Sequence, residues 1–214
     1  EKDCYTTQSP ILKWMNLFTN GYEKIRPHWL RTKASDFLLK YLNAEDAQTN
    51  YLDIGPVSKA INSICIWHAY GKQSEPFKKH VARWYDYLWI AEDGMKMSGY
   101  NGSQLWDAAL TSRAMLESDL GQLFPDTIKK SYQFIDNMQV RKEHETHKEF
   151  FRHPMIGSWP FSTAEQAWPV ADCTAEGLSA TLAIHKSRIL KPGISDARIK
   201  QAVDVILSFQ NKDG

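Results

Sequence analysis

Apolar residues recur at helical spacing along most of this chain, and this periodicity restricts its fold more than any other feature. The helical stripes include Ile61, Ile64, Cys65 and His68, and also Leu105, Ala108, Ala109, Ser112 and Leu116. No segment shows a convincing alternation of apolar and polar residues, which is the pattern that favours a half-buried strand. The sequence therefore predicts an all-α protein.

The connections between the predicted helices alternate between short turns and long loops. Short turns are predicted at residues 71–72, 121 and 192–193, and long loops at residues 93–102 and 141–171. Helices connected in this way form stacked antiparallel hairpins, which build solenoids or closed α/α toroids. We therefore expect the chain to form part of an α/α barrel.

A weak internal repeat supports the stacked arrangement. Gln139 ends one predicted helix and is followed by Gly157 and Trp159, whereas Gln210 ends another and is followed by Gly214. A glutamine amide can satisfy backbone groups that a neighbouring helix end leaves unpaired. We expect the glutamine to do so while the tryptophan packs over the turn, which would tie consecutive hairpins together.

The composition argues against nucleic-acid binding and against a disulfide framework, and it fits an apolar ligand. The 26 basic and 25 acidic side chains nearly cancel, so the chain has no field that would attract nucleic acid. Cys4, Cys65 and Cys173 are an odd number at wide spacings, which favours a reducing compartment over a disulfide framework. The aromatic content of 12%, with 8 Trp, fits an apolar ligand.

The two ends of the sequence indicate a segment of something longer. The first residue is Glu1 rather than Met, and the last residues before Gly214 end a helix and start a turn. We therefore expect residues 1–214 to be the central segment of an α/α-barrel protein, truncated at both ends. No apolar run approaches the roughly 20 residues that span a bilayer. Contact of the chain with one face of a membrane does not require such a run.

The polar residue that most suggests chemistry is Asp172, which precedes Cys173 and follows a loop that contains Trp159 and Phe161. An acid that faces aromatic rings suits a reaction in which protonation generates a carbocation, because ring faces stabilise cations. A structural role is the alternative. Asp172 would then be the N-cap of the following helix, and Glu176 would complete a capping pair.

Four segments of the chain resemble motifs of the oxidosqualene cyclases, the triterpene and sterol cyclases of eukaryotes. In chain order they are YLDIGPV at 51–57, NGSQLWD at 101–107, WPFST at 159–163 and DCTAEG at 172–177. The last segment differs from the acid motif of bacterial squalene cyclases, which is richer in Asp. The overall pattern is most similar to fungal sterol-type cyclases, although residues 164–167 and Tyr100 depart from the family pattern.

The resemblance implies a reaction. A cyclase of this family converts (3S)-2,3-oxidosqualene to a tetracyclic triterpene alcohol, here lanosterol or another skeleton such as protostadienol. The resemblance implies Asp172 as the acid that opens the epoxide. A buried carboxyl keeps its proton, and a hydrogen-bond donor stabilises the carboxylate left behind. Cys173 is the donor within this sequence, and the family implies a second Cys outside it.

The resemblance also implies which residues line the substrate pocket and stabilise its cations. Trp106 and Phe161 match aromatic residues of the family cavity. Trp159 and Val57 fit either a pocket position or a place in the core. The family implies no cofactor and no metal, and its substrate is the only partner expected besides a membrane. The location implied is the cytoplasmic face of the endoplasmic reticulum membrane or a lipid droplet, with monotopic attachment.

Two other classes of function remain open at this stage. A protein prenyltransferase β-subunit is also an α/α toroid, but its zinc ligands Asp and Cys are one residue apart, whereas Asp172 and Cys173 are adjacent. A non-catalytic helical-repeat binding module is the other alternative. His144 and His147 lie in a charged stretch without a Cys partner, which favours a solvated loop over a metal site.

Overall fold

The structure is a computed structural model that describes Thr7 and residues 9–213, so Cys4 and Gly214 lie outside the described part. Its helices are α1 (Pro10–Ile25), α2 (His28–Gln48), α3 (Pro56–Tyr70), α4 (Glu75–Arg83), α5 (Gln104–Glu117), α6 (Leu120–Leu123), α7 (Pro125–Met138), α8 (Ala171–Ser187) and α9 (Asp196–Ser208). Two short strands, β1 (Leu88–Ala91) and β2 (Gly94–Met97), form a hairpin. In all, 63% of the chain is helical, which confirms the all-α prediction and is compatible with a toroid of the terpene cyclase type.

The chain divides into two units, Glu1–Lys40 and Tyr41–Gly214. In the first unit, Ser9 starts α1 because its side-chain oxygen accepts a hydrogen bond from the Leu12 N–H at 3.2 Å. None of the side chains of α1 is buried. Within the described residues, no helix combines the length and the apolar character that crossing a bilayer requires.

The β-hairpin of the second unit lies where the sequence predicted no strand. It follows α4 and a 3-10 turn at Trp84–Asp86, and it occupies the start of the predicted loop at 93–102. Tyr87 anchors it, because its buried hydroxyl donates to the Leu52 carbonyl at 2.8 Å and its carbonyl accepts from the Ser98 N–H at 2.7 Å. The strands left no recognisable pattern because each has only four residues and neither alternates between buried and exposed side chains.

The largest core packs α5, α7, α8 and α9 against one another. Its buried members are Leu105, Ala109, Ile128, Tyr132, Ile135, Trp159, Ala180, Ile184, Ile194 and Ala202. The predicted stripe of α5 is therefore confirmed at its central positions. The predicted stripe of α3 is wrong, because Ile61 and Ile64 are exposed whereas Lys59 and Asn62 are buried.

The Gln-to-Trp repeat forms the tie that its sequence predicted. The Gln139 amide donates to the Gly157 carbonyl at 3.0 Å and to the Arg198 carbonyl, in α9, at 3.2 Å. Gly157 has φ +93, and a Cβ there would lie 2.6 Å from the Gln201 backbone carbon, so only glycine fits the turn. The second copy of the repeat ends at Gly214, outside the described residues.

Candidate active site

The loop at residues 159–162 brings the starts of α5 and α8 together. In α5, the N–H of Leu105 donates to the Ser162 carbonyl at 3.1 Å, and that of Trp106 donates to the Phe161 carbonyl at 3.4 Å. In α8, the Thr174 hydroxyl accepts from the Trp159 N–H at 3.1 Å. The first N–H groups of a helix lack partners within it, so the loop carbonyls stabilise the start of α5.

This arrangement places three aromatic rings beside one another. The ring centroids of Trp106 and Phe161 are 6.2 Å apart, and those of Tyr100 and Phe161 are 6.0 Å apart. Trp106 and Phe161 are half-buried, and Tyr100 is exposed. The structure therefore brings together two of the predicted pocket residues, with Tyr100 as a third member. Accessible ring faces of this kind can stabilise a cation.

The sequence left open whether Trp159 lines a pocket or lies in the core. The structure places Trp159 in the core, so the pocket interpretation is wrong. It is fully buried, and its indole N–H donates to the Ile135 carbonyl at 2.8 Å. Its ring packs so closely against α8 that a Cβ at Gly177 would lie 2.7 Å from it. Its faces are therefore covered by α7 and α8 and cannot contact a substrate.

Val57 lies in the first turn of α3 and is 72% exposed. It does not line the apolar groove of about 430 Å³ that α3, α4 and the hairpin form nearby. The apolar side chains of that groove are Ala60, Ile64, Trp67, Phe77, Trp84, Leu88 and Met97. The sequence did not reveal the groove because its walls come from separate segments and because α3 buries its polar face.

Asp172 occupies the first turn of α8 and is exposed. The capping alternative is wrong, because Val170 occupies the N-cap position. One carboxylate oxygen of Asp172 accepts from the Cys173 N–H at 2.7 Å. The expected burial of the carboxyl is also wrong for the described chain, because α8 turns its other face, with Cys173 and Gly177, into the core.

Cys173 follows Asp172 in α8, and its side chain is buried, with 1% exposed. Burial raises the pKa of the Cys173 thiol to about 12, and the negative charge of Asp172 acts in the same direction. The thiol therefore stays protonated at neutral pH and can donate to the carboxylate. Glu176 is engaged elsewhere, because it binds Arg113 of α5 at 2.5 Å.

A second cluster of polar residues, which the sequence did not reveal, is buried between α2, α3 and α4. Lys59 Nζ lies 2.7 Å from both the Tyr51 carbonyl and His80 Nδ1, and 3.6 Å from Asp53. A lysine ammonium can only donate, so His80 Nδ1 accepts and Nε2 carries the proton. That proton is donated to Asp46, whose oxygen lies 3.0 Å away.

Carboxylate and imidazole groups of this kind can also bind a metal. The candidate ligand atoms of Asp46, Asp53 and His80 all lie within 4.8 Å of one another. The cation that the structure places among them is the Lys59 ammonium, and a metal would have to displace it. His144 and His147 lie elsewhere. The Thr146 hydroxyl is 2.9 Å from His144 Nδ1, and the His144 carbonyl is 2.9 Å from His147 Nδ1.

The cluster gives the protein a specific pH dependence. Burial raises the pKa of Asp53 to about 7, a hydrogen bond with Asp46 acts in the same direction, and the charge of Lys59 opposes both. An unfolded Asp titrates near ~3.9. The folded state therefore binds more protons between these two values, and the contribution of this carboxyl to stability decreases as pH rises through that window.

Asp53→Asn should remove this dependence. We expect the unfolding free energy of the wild type, measured relative to the variant by urea denaturation, to fall by up to about 1.4 kcal/mol per pH unit between about pH 4 and 7. Asp93→Asn removes an exposed carboxylate from the hairpin turn and serves as the control. A difference between the wild type and Asp53→Asn that does not change with pH would contradict the expectation.

Comparison with known proteins shows similarity to triterpene synthases over nearly the whole chain. A cycloartenol synthase from Dictyostelium discoideum is 44% identical over 212 residues, which cover 99% of this chain. A lanosterol synthase from Pneumocystis carinii is 38% identical over 215 residues, again 99% of the chain. An alpha-onocerin synthase from Lycopodium clavatum is 38% identical over 207 residues, or 94% of the chain.

The helical fold is compatible with a protein of the terpene cyclase class. The similarities show that the chain belongs to the oxidosqualene cyclase family. The chain spans 30%, 30% and 27% of the lengths of the three relatives. No family model matches it. The identities do not favour the predicted fungal type, because the Dictyostelium protein is the more similar of the first two.

Proposed function

We propose that this chain carries the acid segment of an enzyme that cyclises (3S)-2,3-oxidosqualene to a tetracyclic triterpene alcohol. The observation that carries the proposal is the pair Asp172 and Cys173, which starts α8 inside a chain 44% identical to a cycloartenol synthase over 99% of its length. A strong acid requires a hydrogen-bond donor to the carboxylate it leaves, and we assign that role to the buried thiol of Cys173.

In the proposed reaction the Asp172 carboxyl transfers its proton to the epoxide oxygen. The C–O bond then breaks, its electron pair stays on the oxygen as a hydroxyl group, and the carbocation is attacked by the nearest alkene. Each attack moves the positive charge to another carbon, and the last cation loses a proton to give the neutral alcohol. The Cys173 thiol stabilises the carboxylate that remains, because hydrogen bonding favours the charged form. Trp106 and Phe161 stabilise positive charge as it moves along the chain, at up to about 2 kcal/mol for each desolvated ring.

The proposal requires that Asp172 be shielded from water when the substrate binds, although it is exposed in the described chain. Water would otherwise hydrate the acid and quench the cation. We propose that this shielding comes from regions that the relatives have in addition to the matched 30%. Of the possible products, lanosterol is the one we propose, with protostadienol as the alternative within the family.

A further part of the proposal concerns location. A substrate as apolar as oxidosqualene resides in lipid, so we propose monotopic attachment to the cytoplasmic face of the endoplasmic reticulum membrane or of a lipid droplet. Exposed apolar side chains such as Ile11, Trp14 and Phe18 support an affinity for such a surface. A fluorescent fusion that stays diffuse throughout the cytosol would argue against this location.

The test of the function is the product. We would express the complete gene product that contains these residues in a host that lacks its own sterol cyclase and identify the triterpenes by mass spectrometry. A tetracyclic alcohol is the expected result. Unreacted oxidosqualene together with well-folded protein would overturn the proposal, and turnover that requires stoichiometric zinc would favour a prenyltransferase-like enzyme instead.

A further inference from the structure

The segment that leads into α8 is held from outside the candidate active site by Glu165. The two carboxylate oxygens of Glu165 accept from the two terminal nitrogens of Arg83, at 3.1 and 2.9 Å. One of them also accepts from the Asn50 amide at 2.6 Å. A guanidinium that binds a carboxylate through two nitrogens fixes the orientation of the carboxylate as well as its distance. The Arg83–Glu165 contact therefore orients the turn at Ala164–Gln166.

A second contact secures the same segment two residues further on. The Gln48 amide, at the end of α2, donates to the Ala167 carbonyl at 2.8 Å. Ala167 has φ +47, a left-handed conformation that costs a non-glycine residue energy and persists where the surroundings impose it. The end of α2 and the end of α4 therefore hold residues 165–167 together.

The inner side of this turn contacts the aromatic loop. The side-chain oxygen of Gln166, which is buried, accepts from the N–H of Ser162 at 3.2 Å and from its hydroxyl at 2.9 Å. Ser162 follows Phe161 directly. The chain then reaches Val170, whose carbonyl accepts from the Thr174 N–H at 2.9 Å as α8 begins. The turn thus lies in the chain between Phe161 and the first turn of α8, and Gln166 bonds it to the residue that follows Phe161.

We propose that Glu165 and Arg83 form a positioning pair, which fixes the start of α8 and thereby the place of the Asp172 carboxyl relative to the Phe161 ring. This inference rests on the proposed function. A displacement of about 1 Å between an acid and its substrate can lower a rate by about 100-fold. Glu165 and Arg83 do not contact the reacting atoms, so their effect reaches the reaction only through Asp172.

Both side chains of the pair are partly exposed, and this distinguishes a positioning role from a general contribution to stability. The side chains of Arg83 and Glu165 are 25% and 37% exposed, and partly exposed ion pairs contribute little to unfolding free energy. The Arg198–Asp136 pair has similar exposure, 22% and 28%, and joins α9 to α7. Asp136→Asn is therefore a matched control.

The test uses Glu165→Gln and Arg83→Lys in the complete gene product. We expect each variant to lower kcat by about tenfold or more, with KM within about twofold of the wild type and an unchanged melting temperature. Combining the two should lower kcat no further than the larger single effect, because the pair acts as a unit. Asp136→Asn should leave kcat within about twofold of the wild type.

Hydrogen exchange supplies a readout that does not depend on turnover. Amides in peptides that cover residues 163–174 should exchange faster in both variants than in the wild type, while those of α9 should not change. Unchanged exchange in these peptides, or the same acceleration in Asp136→Asn, would overturn the positioning role. A wild type without cyclised product would refute the proposed function, and the exchange data would still show whether the pair orders this segment.

Discussion

Asp172→Asn should abolish formation of cyclised product, with a loss of about 1,000-fold or more in kcat, because a carboxamide has no acidic proton to give to an epoxide. The fold should not change. The carboxylate oxygen that accepts from the Cys173 N–H at 2.7 Å has a counterpart in the asparagine side chain, so the first turn of α8 keeps its contact. The measurement is triterpene yield by mass spectrometry from purified enzyme supplied with oxidosqualene.

The control for this prediction is Glu176→Gln. Glu176 is also acidic and lies on the same helix, but its carboxylate binds Arg113 of α5. Its amide variant should keep activity within about a few-fold, since a partly exposed ion pair contributes little. Comparable losses in both variants would mean that α8 needs negative charge as such, and full activity of Asp172→Asn would remove the acid from the proposed mechanism.

The sequence predicted those features that a repeating pattern indicates. The helices and the all-α class follow from the periodicity of apolar residues, and the Gln139 tie follows from the internal repeat, although its acceptor Arg198 lies 59 residues further along the chain. The resemblance added the pairing of Trp106 with Phe161, which the structure shows at 6.2 Å. In each case the local pattern and the tertiary structure favour the same arrangement.

The features that the sequence did not reveal depend on partners outside the same helix. Lys59 and Asn62 are buried in α3 because Asp53, in the preceding loop, supplies a charge and an acceptor for them, and Asp46 in α2 adds a second negative charge near Lys59. A periodicity argument assigns such a polar face to solvent. Asp172 is exposed because the opposite side of α8 packs against the core. Small residues on that side, such as Gly177, allow the close approach.

Trp159 illustrates the same limit, because it stands only two residues from Phe161 and has a different environment. Its side chain turns into the core while that of Phe161 stays half-buried beside Trp106. The determining contact is the Ile135 carbonyl, which belongs to the last turn of α7. The last four carbonyls of a helix lack partners within it, so the indole N–H of Trp159 caps α7.

Trp159→Ala should therefore cost about 3–5 kcal/mol of unfolding free energy, the usual range for removing a large buried aromatic side chain. It would leave a cavity against Gly177 and leave the Ile135 carbonyl without its donor. Trp159→Phe restores most of the volume but not the hydrogen bond, so we expect an intermediate cost of about 1–3 kcal/mol. Urea denaturation of the purified protein measures both.

Trp14→Ala provides the matched control, because Trp14 is 72% exposed in α1 and its loss should change stability by about 0.5 kcal/mol or less. The order of the three variants separates the two contributions of Trp159. If Trp159→Phe were as stable as the wild type, the cap on α7 would contribute nothing and packing would account for the whole effect. If Trp159→Ala were no less stable than Trp14→Ala, Trp159 could not be the residue that joins α7 to α8.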